Sequence, residues 1–162
     1  MTRRHLVLVG LGLALGVPAG LVAQKEYVLA HGEQVFLMLE PVDPRSLIEG
    51  DYMRLSYGIS NEVRPARLEV PGDGWLVLRL DERRVARFAR LDDGSPLLTG
   101  ELRMRYRWRH GFVRLGSDAY YFQEGQAENY AAAKYGEVRL TESGDAVLVG
   151  LRDGNLRRLA AP

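Results

Sequence analysis

The nine residues ELRMRYRWR, Glu101–Arg109, alternate without a break. Leu102, Met104, Tyr106 and Trp108 fall on one side of an extended chain; Glu101, Arg103, Arg105, Arg107 and Arg109 fall on the other. Successive side chains of a strand point to opposite faces, so this pattern specifies a strand with one face buried and one in water. His110-Gly111 follows as a two-residue turn into the run Phe112–Leu115, which makes a hairpin. The stretch therefore places the chain among antiparallel β proteins.

Working upstream, WLVLRL (75–80) reads as a buried strand, and residues 81–91 as its hairpin partner. There the alternation of Val85, Arg87, Ala89 and Leu91 is preferred to a helix face of Val85, Phe88 and Ala89. Residues 60–74, with Pro65, Pro71, Gly72 and Gly74, are the least patterned and read as a surface connection. VFLMLE (35–40) is expected to be the first buried strand. Downstream, DAYYF (118–122) is another short strand. The alanine-rich run QAENYAAAKY (126–135) predicts a helix, with Gly136 at a left-handed cap. Residues 138–141 and 146–151 flank Ser143-Gly144-Asp145 as a hairpin, and Asp153-Gly154 opens a second turn into 156–159. The expected class is mainly β with one or two short helices: a small antiparallel sheet or barrel-like domain.

A different solvent is written into the N-terminus. Residues 6–23 hold no charged or strongly polar side chain. Eighteen residues at about 1.5 Å each span about 27 Å, close to the roughly 30 Å hydrocarbon core of a bilayer. Arg3 and Arg4 precede the run, which keeps residues 1–5 cytoplasmic and sends 24–162 outward. An uncleaved anchor is preferred to a signal peptide, because the run is long and a cut after Ala23 would leave Leu21 at the −3 position. The arginine pair also resembles a twin-arginine signal, but two arginines so near the start are ordinarily only the topology charge. Gly12, Gly16 and Gly20 recur every fourth residue on one helix face, a spacing that permits self-association or docking on a partner helix. Lys25 and Glu26 mark the exit from lipid.

Between anchor and sheet lies PVDPRSLIEGDYMRLSY (41–57). Asp43 can cap backbone N–H groups, Pro44 suits a first helical position, and Gly50 reverses the chain into a strand. In that strand Met53, Leu55 and Tyr57 share one face; Tyr52, Arg54 and Ser56 share the other. Asp51, at its mouth, is read first as a structural acceptor for the turn or a partner of Arg45, and second as part of a binding rim. Gly50-Asp51-Tyr52-Met53-Arg54-Leu55-Ser56-Tyr57 resembles, at each defined position, the motif that names the GDYXXLXY protein family. Pro41-Val42-Asp43-Pro44-Arg45 upstream, and Glu124-Gly125 and Tyr135-Gly136 downstream, extend the likeness. The resemblance implies a bacterial membrane-associated protein that accompanies a multi-pass membrane protein, and carries over no catalytic residue.

Several chemistries lack their residues. There is no cysteine, so disulfides, thiolate metal sites and cysteine nucleophiles are excluded. His5, His31 and His110 have no metal-ligand spacing, and neither a cofactor nor a metal is expected. A serine peptidase built on Ser46 needs a buried lysine within reach; beyond the membrane the lysines are Lys25 and Lys134. Charge is near balance at +1, of which Arg3 and Arg4 supply two, so the outer part carries −1 and no field for nucleic acid. The arginine row of 103–109 is read first as pairing with carboxylates such as Glu137, Glu142 or Asp92, and second as a contact for headgroups or an acidic surface. Tyr120, Tyr121, Phe122, Tyr130 and Tyr135 suit core and rim, or a peptide or glycan groove beside Glu124 and Gly125. The leading functional expectation is a membrane-anchored, non-enzymatic accessory protein. An envelope ligand-binding module is the alternative, and a hydrolase the least favoured.

Overall fold

The computed structural model describes residues 3–40, 48–49, 52–68 and 72–159. Helix α1 (Arg3–His31) leads into β1 (Glu33–Met38), β2 (Ile48–Glu49), β3 (Tyr52–Arg54) and helix α2 (Gly58–Leu68). Two hairpins follow: β4 (Gly74–Leu80) with β5 (Val85–Leu91), and β6 (Glu101–Arg109) with β7 (Phe112–Leu115). The chain continues through β8 (Ala119–Tyr121), the single turn α3 (Ala127–Tyr130), β9 (Tyr135–Leu140), β10 (Ala146–Arg152) and β11 (Arg158–Leu159).

One eight-stranded sheet runs β11-β10-β9-β1-β5-β4-β6-β7, and a three-stranded sheet runs β2-β3-β8. Among the described residues the parallel pair is β1 with β5, joined by a crossover through β2, β3, α2 and β4. The expected mainly β domain behind an apolar helix is what the chain forms. Its large sheet is open and curled. The Arg105 N–H donates to Gly144 O at 2.9 Å, and Trp75 Nε1 to Ser143 O at 3.3 Å, so the β9–β10 turn docks across β4 and β6.

The core follows the alternation. Met104 and Tyr106 of β6 are buried with Val35 and Leu37 of β1, Leu76 and Leu78 of β4, Leu115, Val138 and Leu151. Arg105, Arg107 and Arg109 are exposed. His110 and Gly111 both take positive φ, 52° and 79°, which is the primed two-residue turn that matches strand twist.

Two of the expected elements fail. Residues 58–68 form a helix where a surface connection was predicted. Ile59 and Val63, one turn apart on one face, are 2% and 0% exposed, and their burial in the core outweighs the proline within the helix. Residues 126–135 do not form one helix: α3 ends at Tyr130, and Tyr135 and Gly136 belong to β9. Alanine propensity amounts to a fraction of a kcal/mol per residue, roughly, and loses to a strand hydrogen-bonded on both sides, to β1 and β10.

Helix α1 runs 29 residues, about 44 Å, well past the apolar run. Its apolar window is wholly unburied, and it is the one helix among the described residues long and apolar enough to cross a membrane. Past that window it packs on β9 and β10, where Val28 is 3% exposed. There the Gly32 N–H donates to Val28 O at 2.8 Å, and the Tyr27 and His31 rings stack at 4.4 Å.

Candidate functional site

The motif segment is placed by backbone pairing on both sides of β3. Tyr52 lies opposite Glu49 on β2 and Tyr121 on β8, and Met53 opposite Tyr120. Met53, Leu55 and Tyr57 are buried as their shared face predicts, while Arg54 is exposed. Leu55 N–H donates to Asp118 O at 2.9 Å, and Tyr57 bridges to Leu39, so the segment ties the small sheet to the end of β1. The Tyr57 hydroxyl donates to Ser117 O at 3.0 Å. Burial, with a smaller push from the Asp118 charge, raises that phenol far above its ordinary pKa, so it remains a neutral donor. The predicted residues Asp43, Pro44, Arg45, Gly50 and Asp51, and Ser46 of the peptidase alternative, lie outside the described residues.

Gly136 is the downstream partner of this node. It is a buried strand residue rather than a helix cap. A Cβ built there would sit 3.2 Å from Tyr57 Cε1 and 3.3 Å from Leu148 Cδ1. The fold thus brings together two predicted residues, Tyr57 and Gly136, by close packing. Tyr52 and Tyr121 also meet, at 5.6 Å between ring centroids, with Tyr121 75% exposed. Tyr120 and Phe122 each contact the buried Tyr130 ring at 5.2 Å. Burial and the contact with Tyr130 raise the Tyr120 phenol above its usual range. Glu124 and Gly125 form an exposed turn ahead of α3, with Gly125 at φ 79°. Tyr135, half-buried, opens β9 opposite Met38. Gly12, Gly16 and Gly20 face open space in the single chain.

The arginine row of β6 is paired at three of its four positions. Arg103 Nε meets Asp92 at 2.7 Å, Arg105 meets Asp145 at 3.7 Å, and Arg109 meets Asp73 at 2.8 Å. Asp92 was foreseen. Glu137 pairs instead with Arg152 and accepts from Gln34 Nε2 at 2.6 Å. The Trp108 N–H and Arg109 hold the Asp73 carboxyl below its ordinary pKa. Arg107 donates to Gly116 O at 3.5 Å. Alternation missed Glu101, which turns inward and is 6% exposed. It accepts from Leu98 N–H at 3.0 Å and from Arg79 and Arg90 at 3.4 Å each. The Leu98 N–H, then the two guanidinium groups, keep its pKa low.

Two hollows adjoin where α1 meets the sheet. The first, about 210 Å³, is lined by Lys25 and Val28 of α1, Arg105 and Arg107 of β6, Arg114 of β7 and Asp145. The second, about 420 Å³, shares Lys25 with the first and is walled by Ser117, Tyr120, Tyr121, Val147 and Leu148. Sequence reasoning had no access to this meeting of Lys25 with β6, because only the docked end of α1 creates it. Among the described residues no group of three His, Asp or Glu is arranged to hold a metal ion.

The family model described as GDYXXLXY protein matches residues 14–151. The chain belongs to that family. No curated protein and no solved structure matches it.

Proposed function

We propose that this GDYXXLXY-family chain is a single-pass protein of the bacterial cytoplasmic membrane that serves, without catalysis, as an accessory or assembly subunit of a multi-pass membrane protein. The observation that carries the reading is α1. An unburied apolar helix continues without a break into a last turn docked on the sheet, through Val28. Anything the helix binds within the bilayer is thereby mechanically linked to the β domain. Arg3 and Arg4 set the N-terminus in the cytoplasm and the domain outside. The glycine face of Gly12, Gly16 and Gly20 is the side on which a partner helix, or a second copy, approaches most closely.

Purification of the tagged full chain in mild detergent tests this. A stoichiometric multi-pass protein that copurifies supports the reading. A lone monomer that retains a peptide or glycan supports the second reading, a ligand-binding module, which the tyrosine-walled hollow favours. Crosslinking of the full chain beside Gly16→Ile separates self-association from partner docking: identical ladders exclude a role for the glycine face in forming copies.

A further inference from the structure

We propose that the hollow between α1 and the β6–β7 hairpin seats the phosphate of an anionic phospholipid headgroup. Lys25, Arg105, Arg107 and Arg114 line it, against the single lining carboxylate of Asp145. Arg105 is steadied over the Trp75 ring at 5.2 Å, and its ion pair with Asp145 is long, at 3.7 Å. Arg114 stands 3.5 Å from Asp118. Pairs of that length at half-exposed positions are weak, and guanidinium groups with five N–H donors keep several free for a phosphate. Lys25 and Arg107 form no ion pair among the described residues; Arg107 contributes to the low pKa of Asp73 from a distance.

The depth of the hollow selects a lipid over a soluble anion. This step rests on α1 lying in a bilayer. The apolar run ends at Ala23, so Lys25 stands about 3 Å beyond the hydrocarbon edge, at the level of the phosphates. A volume of about 210 Å³ lies below the roughly 300–1,000 Å³ typical of sites that enclose a whole small ligand. It suits a headgroup whose tails stay in the membrane. The adjoining hollow, with Tyr120 and Tyr121, supplies the amphipathic rings that settle at a membrane interface. Overall charge is too balanced for a general attraction, so the effect must be local.

The test uses the full chain in nanodiscs of mixed phosphatidylcholine and phosphatidylglycerol, with retained lipids identified by native mass spectrometry. Wild type is expected to retain phosphatidylglycerol in preference to phosphatidylcholine. Each basic group near a membrane surface contributes about fivefold to such binding, so Lys25→Gln with Arg107→Gln should reduce the preference by at least about that factor. Both side chains are exposed, and an unchanged thermal melt confirms the fold. Arg87→Gln, at an exposed arginine paired with Asp81, should leave the preference intact. No preference in wild type, or an equal loss in Arg87→Gln, overturns the proposal. Complete displacement of the lipid by inorganic phosphate overturns the lipid source. Flotation with pure phosphatidylcholine vesicles separates the premise: a chain that floats but shows no preference refutes the headgroup site alone, and one that fails to float refutes the anchor as well.

Discussion

Residues 52–57 and 101–109 both alternate, yet they put the alternation to opposite use. In the first, the inward side chains Met53, Leu55 and Tyr57 join two sheets, and the Tyr57 ring presses on Gly136. In the second, Met104 and Tyr106 bury likewise, but the outward arginines reach three aspartates and the hollow beside α1. The described letters of the motif, Tyr52, Leu55 and Tyr57, are mostly spent on packing. The charged surface is written in a strand that no motif names. The described letters of the motif mark a packing node.

That contrast can be broken most sharply at Tyr57. Tyr57→Ala should destabilise the chain by about 3–5 kcal/mol, as deletion of a buried aromatic does, read from the urea midpoint of the full chain in micelles. Tyr57→Phe should lose only about 1 kcal/mol, the value of the bond to Ser117 O. A negligible effect of Tyr57→Ala would remove the packing node. Next in size, Gly136→Ala should cost about 1–3 kcal/mol through overpacking. In a Tyr57→Ala background its cost should shrink by about 0.5 kcal/mol or more, because the ring it strikes is gone. Strict additivity would mean that the two sites do not press on each other. On the arginine face, Arg105→Ala should change stability by no more than about 1 kcal/mol, since its partner is a half-exposed aspartate. A loss as large as that of Tyr57→Ala would erase the distinction between the two strands.

The finest test concerns Glu101, which joins the core to the charged face. Its folded pKa lies below that of an unfolded glutamate, so the folded state binds fewer protons in the intervening range. Its contribution is therefore complete above about pH 4.3 and is lost as pH falls through the lower folded value. Glu101→Gln should flatten the acid decline of the urea midpoint relative to wild type. Parallel curves would show that this carboxylate contributes nothing through ionisation.

Local patterns were legible and distant meetings were not. The strands 101–109 and 112–115 follow from period two, and the turn between them from His110-Gly111, because neighbours in sequence decide both. Helix 58–68 was hidden by Pro65 and by the polar residues Ser60, Asn61, Glu62, Arg64 and Arg67 interleaved with its few apolar ones. Gly136 was misread because an alanine run precedes it; what decides its place is pairing with β1 and contact with Tyr57, neither of which is local. Glu101 looked outward by parity, yet it accepts from the Leu98 N–H just upstream and from Arg79 and Arg90 on two other strands, β4 and β5. The basic hollow joins Lys25 to residues of β6 and β7, and only the docking of α1 brings them together.

The most direct measurement is alkaline extraction of native membranes followed by intact-mass analysis of the chain. The expected result is a polypeptide that stays in the membrane pellet with residues 1–23 attached. Recovery of the same intact polypeptide in the soluble fraction would contradict the anchor, and with it the headgroup seat and the membrane partner.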